Sequence, residues 1–414
     1  MITIQAYKGV EPLTLWFCSF CDRRSSSLQN RDVCSTGKMC AGVFFRMTED
    51  KMSRFISKRF AQMVPYRLGE QPKNMEFIKL NSNETLIPPS EGVYESLQKA
   101  ADHADLGHYS DQDATVLREA IATHYGVATD EVFAGNGADE VLSFIMLAYG
   151  MTPEGLCFPD ITYGFYKTVS GAFGLNYREI PLDENFRIRA ADYERAGQLI
   201  IIANPNAPTG LQLSQKEIRR IIESNRDHVV VIDEAYVDFG TRSCIPLIHE
   251  YDNLIVVHTM SKSRNIAAIH VGYAIGQAAL MRELNNLKNC FNPNNINQVT
   301  LDAAVAAMQD FETLERSVLE KIKIRIWFTR QLERMGYETL DSFTNFVFTR
   351  HEGYDAQELT EFLYEEGILV RHYDQPRIRD FVRISIGTAG EMEKVTESLL
   401  KFRESIRTAK RASM

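Results

Sequence analysis

Val229-Val230-Val231-Ile232-Asp233-Glu234-Ala235-Tyr236 is the stretch on which the fold turns. Its first four residues are all β-branched. An apolar run without polar alternation reads as a strand buried on both faces, as in a parallel sheet covered by helices. Asp233 and Tyr236 then fall at the carboxyl end of the strand, the edge where open α/β sheets bind ligands. Taken alone, the pair reads equally well as a turn cap and a packed tyrosine.

Three neighbouring segments add to that reading. Leu199-Ile200-Ile201-Ile202-Ala203 is a second buried strand, followed by Asn204-Pro205-Asn206-Ala207-Pro208-Thr209-Gly210. Prolines and a glycine this dense make a stiff turn, open to a cis bond, that can hold a side chain in place. Leu254-Ile255-Val256-Val257 leads into Thr259-Met260-Ser261-Lys262-Ser263-Arg264. That run sets an amine beside hydroxyls and a guanidinium, as a phosphorylated aldehyde cofactor requires, although most lysines after strands are solvated. Gly135-Asn136-Gly137-Ala138-Asp139-Glu140 opens an apolar helical stretch. Small residues at a helix start leave N–H groups able to grip a phosphate, and tight turns also use glycine for purely steric reasons.

In this order the four segments resemble the aspartate-aminotransferase superfamily, the fold-type-I enzymes that use pyridoxal 5′-phosphate (PLP). The similarity is greatest to the histidinol-phosphate aminotransferase branch. Its marks are Asp233-Glu234-Ala235-Tyr236 with Phe239, Tyr109 in His108-Tyr109-Ser110-Asp111, and Val382-Arg383-Ile384-Ser385-Ile386-Gly387-Thr388. The resemblance runs from about Arg54 to the C-terminus. It implies that Lys262 bonds to the cofactor's aldehyde and later moves the proton between Cα and C4′. Asp233 would pair with the pyridine nitrogen, Tyr236 would donate to the ring's phenolic oxygen, and Tyr163 would stack on the ring. Ser261, the start of the helix at Gly137 with the N–H groups of Ala138 and Asp139, and Tyr109 from a partner subunit would hold the phosphate. Arg383 would fork onto the substrate carboxylate. Arg371 would add an anion contact, and Tyr66, in the N-terminal arm, would close over a neighbour's substrate.

Two positions depart from the family pattern. His270 stands where the family usually places an arginine on the cofactor phosphate, with Arg264 as the alternative source of charge or else a solvent-facing residue. Ala207 stands where many relatives have an asparagine on the phenolic oxygen, with Asn206 next to it as the substitute.

Composition sets the remaining bounds. The chain has 414 residues, 44% of them hydrophobic, and a net charge of −9. Length suggests two or three packing units. The acidic balance and a pI near 5.6 argue against nucleic-acid or polybasic membrane binding. No run approaches the roughly 18 apolar residues of a membrane span. Residues 80–310 read as a large α/β domain on a mostly parallel sheet. Residues 311–414, with the arm at 51–79, read as a smaller α+β domain with a helix over Phe311–Met335 and strands at Phe346–Thr349 and Val382–Ile386. Cys157, Cys244 and Cys290 read as buried thiols of a cytoplasmic protein. Cys18, Cys21, Cys34 and Cys40 have poor zinc spacing, so residues 1–50 read as a disordered leader, with translation starting at Met47 or Met52. The expected activity is transamination between histidinol phosphate and 2-oxoglutarate by a homodimer with shared active sites, in histidine biosynthesis. An aromatic amino-acid transaminase or a threonine-phosphate decarboxylase is the alternative.

Overall fold

The computed structural model describes residues 53–412 except 62, 64, 66–68, 70–76, 85–86 and 104–106. The leader with its four cysteines, the start sites Met47 and Met52, and Tyr66 of the arm lie outside the described residues. Met1–Phe55 and Ile56–Met414 are separate units, and the second carries every helix and strand of the described residues.

The decisive stretch is a strand, Val230–Asp233, near the middle of a seven-stranded sheet. The spatial order is Val132–Gly135, Gly272–Gly276, Leu254–Thr259, Val230–Asp233, Leu199–Ala203, Leu156–Pro159 and Tyr177–Ile180. Pairing is parallel from Leu254–Thr259 onward, while Gly272–Gly276 runs antiparallel to both its neighbours. Alternate residues feed two cores. Ile200, Ile202, Val230 and Ile232 enter one, and Ile201, Val231 and Ile255 the other. Both faces are dry, so the sequence shows no polar alternation, and each such side chain contributes about 1.5–3 kcal/mol by burial. Ala203, Asp233 and Val257 stand side by side in register, which gathers the three following loops at one edge.

A four-stranded antiparallel sheet follows, in the order Arg371–His372, Phe381–Ser385, Phe346–Arg350, Glu338–Thr339. Phe328, Val347, Leu363, Val382 and Ile384 fill its own core. The helix expected over Phe311–Met335 spans Phe311–Arg334, and Asp310 opens it by accepting Thr313 N–H at 2.9 Å. Ile78–Lys79, at the end of the arm, pairs in parallel with Ile368–Leu369 as a separate two-stranded sheet that packs on the same core.

The helix Gly137–Gly150 begins against Gly272–Gly276, the strand next to the edge, and two glycines permit the approach. Gly137 has φ +80°, and a Cβ on Gly272 would lie 2.3 Å from Ala138 N. Cys157 and Cys244 are buried, but Cys290 is exposed, contrary to the expectation of three buried thiols. It lies in the last turn of the helix Ala278–Phe291, beside the exposed Phe291. Among the described residues, no helix is long and apolar enough to cross a membrane, and no group of three or more His, Cys, Asp or Glu side chains is placed to hold a metal ion.

Candidate active site

The carboxyl edge of the large sheet opens into a cavity of about 840 Å³ that the second sheet closes from the other side. Lys262, Tyr236, Tyr163 and Ala207 line it from the large sheet's loops, and Arg371, Tyr373 and Arg383 from the small sheet.

Asp233 is 4% exposed, and its carboxylate accepts Tyr166 O–H at 2.6 Å and Ala235 N–H at 3.1 Å. The second bond is the turn cap that the sequence allowed. Burial lifts its pKa to about 6, against the pull of the Tyr166 bond. Tyr236 is buried, edge-on to Phe346, and its hydroxyl accepts Asn83 Nδ2–H at 2.7 Å. Lys262 is half-buried, and its ammonium reaches Ser82 O at 3.4 Å. Burial, then the nearby Arg383 charge, draws its pKa down to about 8. An amine so placed sheds its proton far more easily than a surface lysine.

The helix start at Gly137 adjoins this chemistry. Asp139 accepts Tyr163 O–H at 2.9 Å, and burial raises its pKa while His270 and Lys262 pull it down. His270 takes a left-handed φ of +57° and lays its ring over Gly137, where a Cβ would lie 2.4 Å from Cε1. The position left without an arginine therefore places an imidazole at the same helix terminus. Ser261 sits beside Lys262 with its hydroxyl on Thr259 Oγ1 at 3.1 Å.

On the opposite wall, Arg371 and Arg383 are direct partners in the antiparallel pair, so both guanidinium groups issue from one face. Both approach the Tyr373 ring, at 5.6 and 5.9 Å from its centroid. Arg383 also donates to Asn81 O at 2.8 Å, while its buried Nε has no hydrogen-bond partner among the described residues. Like charges facing each other, with a buried donor unused, are what an anion would relieve.

Two expected substitutes are engaged elsewhere. Asn206 donates both amide hydrogens, to Ile161 O at 2.9 Å and Thr209 Oγ1 at 3.1 Å, and accepts Thr162 O–H at 2.7 Å. Its work is to brace the loop whose Asn204–Pro205 and Ala207–Pro208 bonds are both cis, and Ala207, not Asn206, meets the cavity. Arg264 is neither on the phosphate end nor in solvent. It is 6% exposed and donates to Ala307 O at 2.6 Å and to His124 Nε2 at 3.2 Å. Tyr109 is 91% exposed and lies outside its own chain's cavity.

Three functional neighbours went unread in the sequence. Tyr166 lies three residues past Tyr163, at helical spacing, and its bond to Asp233 is signalled only by that period. Asn83 takes φ +56° and links Tyr236 to Ser385, whose Oγ lies 3.0 Å from Asn83 Oδ1. Tyr373 stands one residue beyond the strand Arg371–His372.

The site meets the needs of a phosphorylated pyridine aldehyde: an amine, a deep carboxylate, a stacking tyrosine and a helix N-terminus. Known proteins agree with the geometry. The family model described as aminotransferase class I and II matches residues 75–399. A histidinol-phosphate aminotransferase of Acinetobacter baylyi is 43% identical over 86% of this chain and 99% of its own length. Histidinol-phosphate aminotransferase 2 of Dechloromonas aromatica is 44% identical over 84% and 99%. The crystal structure of the Sinorhizobium meliloti histidinol-phosphate aminotransferase, in complex with pyridoxal-5′-phosphate, superposes with a TM-score of 0.77 at 21% identity, covering 87% of this chain and 99% of that one. The chain belongs to the aminotransferase class I and II family.

Proposed function

We propose that this protein is a PLP-dependent transaminase that moves the amino group of histidinol phosphate to 2-oxoglutarate, giving imidazole-acetol phosphate and L-glutamate in histidine biosynthesis. The observation that carries the reading is one cavity holding Lys262 on one wall and the facing Arg371 and Arg383 on the other. The 43% and 44% identities to histidinol-phosphate aminotransferases support the choice of substrate.

PLP, when bound, supplies an electron sink for the Cα–H bond and carries the nitrogen between half-reactions. The chain's own groups do the rest. Lys262 would hold the cofactor aldehyde and, as a free amine, would take the proton from substrate Cα. Its lowered pKa suits that work near neutral pH. Asp233 would set a carboxylate toward the cofactor's pyridine nitrogen, Tyr236 would donate to the phenolic oxygen, and Tyr163 would cover the ring. Ser261, the N–H groups of Ala138 and Asp139, and His270 would receive the cofactor phosphate. Arg383 and Arg371 orient the substrate's anionic end, carboxylate or phosphate ester, while an imidazole or a dicarboxylate chain fills the remaining space.

The active form is a cytoplasmic homodimer in which Tyr109 of the partner subunit completes the phosphate site. The 91% exposure of Tyr109 in the single chain supports this.

Titrating the PLP-loaded protein with histidinol phosphate and with phenylalanine, with 2-oxoglutarate as acceptor, tests the substrate. Loss of the long-wavelength cofactor band and product formation are expected with histidinol phosphate. Turnover of phenylalanine alone would reassign the protein to aromatic amino acids. Borohydride trapping followed by peptide mapping must place the cofactor on Lys262.

A further inference from the structure

Glu234 follows the catalytic carboxylate and points to the other side of the sheet, as strand alternation requires. It is 1% exposed and accepts Ser243 O–H and Cys244 N–H, each at 2.6 Å, and His258 Nε2 at 2.8 Å. His258 Nδ1 lies 3.2 Å from Tyr125 Oη, which lies 2.7 Å from Tyr273 Oη. Tyr273 in turn is bonded to Arg264.

Donor chemistry fixes the two ends of this chain. A guanidinium only donates and a carboxylate only accepts. Arg264 therefore donates to Tyr273, a tyrosine hydroxyl meets His258 Nδ1, and the carboxylate of Glu234 accepts from His258 Nε2. Each of these protons then has an acceptor. Tyr273 Oη also lies 3.5 Å from His258 Nδ1, so either hydroxyl can serve as the donor to that nitrogen. The other ionisable groups of the cluster are also engaged: Asp238 accepts Ser263 O–H at 2.5 Å, and His124 receives Arg264. The two ends of the chain abut the active site, since Glu234 adjoins Asp233 and Arg264 lies two residues past Lys262.

We infer that Glu234 and Arg264 are a buried charge pair, coupled through His258, Tyr125 and Tyr273, that positions Asp233 and Lys262 and sets the electrostatic potential at the cofactor from the far side of the sheet. Glu234 and Arg264 are positioning residues that touch neither cofactor nor substrate. The inference rests on the proposed attachment of PLP to Lys262.

The test is the pH titration of the cofactor absorbance band in PLP-loaded protein, alongside PLP affinity by equilibrium dialysis and thermal unfolding. Glu234→Gln removes a negative charge, disfavours a cation at the lysine–cofactor link, and moves the titration to lower pH. Arg264→Met moves it to higher pH. Each shift should be on the order of half a unit, below the effect of a charge in direct contact. Arg264→Lys should largely restore the wild-type midpoint. Tyr125→Phe keeps both charges, so it should lower the unfolding temperature while moving the band less than either charge variant.

Shifts of the same sign, or no shift in folded variants, overturn the inference. Should Glu234→Gln fail to fold, the contrast between Arg264→Met and Arg264→Lys decides alone. Wild-type protein that forms no band on Lys262 overturns the proposed attachment instead, so the two failures are distinguishable.

Discussion

The two walls of the cavity are built on opposite terms. On the wall of the large sheet, the buried polar groups have internal partners: Tyr166 for Asp233, Asn83 for Tyr236, Tyr163 for Asp139. On the small-sheet wall, two arginines face each other across a strand pair, and a buried guanidinium nitrogen is left over. The first wall is finished before any ligand arrives, as a cofactor bed needs to be, because groups fixed in advance cost no reorganisation when charge develops. In the proposed function an anion completes the second, so electronic tuning and recognition fall to different sheets.

The strongest way to break this contrast is at Lys262. Lys262→Ala should reduce transamination by at least about 10³-fold, the upper range for a positioned acid–base group, and should abolish borohydride trapping while leaving the anion wall intact. Retained trapping elsewhere in the chain would contradict the assignment.

Asp233→Asn comes next. Turnover should fall by about 10²-fold or more as the ring nitrogen loses its counter-charge. The stability effect has the opposite sign. Asp233 has its pKa raised from 3.8 to about 6 in the fold, so the unfolded chain ionises more readily and folding loses stability as pH rises through that window. At pH 8 the neutral asparagine avoids a penalty on the order of 2–3 kcal/mol, at 1.36 kcal/mol per unit. Calorimetry of the apoprotein should therefore show a higher Tm for the variant at pH 8 than at pH 4, each relative to wild type.

The anion wall should respond differently. Arg383→Lys and Arg371→Lys should raise KM for histidinol phosphate by roughly tenfold or more, the loss of one charge-assisted bond of the fork. PLP affinity should not change, and a parallel drop in PLP affinity would merge the walls. The smallest effect concerns His270. His270→Ala should weaken PLP affinity by roughly fivefold as the cofactor phosphate loses one donor. His270→Arg should tighten binding in the same equilibrium dialysis, and unchanged affinity in both variants would remove His270 from the phosphate site.

What the sequence made legible follows the same division. The Val229–Ile232 run read as a doubly buried strand because it shows no polar alternation, and the strand itself begins at Val230. That alone placed Asp233 and Tyr236 at the ligand edge. Lys262 followed from an equally apolar strand. Residues whose role depends on loop direction were harder. Arg264 lies two residues past Lys262, and nothing local shows that its guanidinium turns inward to Ala307 O. Asn206 was read by its nearness to Ala207, yet bracing a turn with two cis bonds consumed its amide. Asn83 reaches Tyr236 across 153 positions, a contact that periodicity cannot encode. Cys290 was misplaced because thiols are usually buried, whereas this one occupies the exposed face of a helix end.

The pairing of residue 371 with residue 383 rests on a strand only two residues long. Side chains on a strand change sides at every step, so a slip of one place would send one guanidinium to the back of the sheet. Removing a single amino acid from the 373–380 hairpin loop would thus blind the enzyme to its substrate while leaving it fully charged with vitamin.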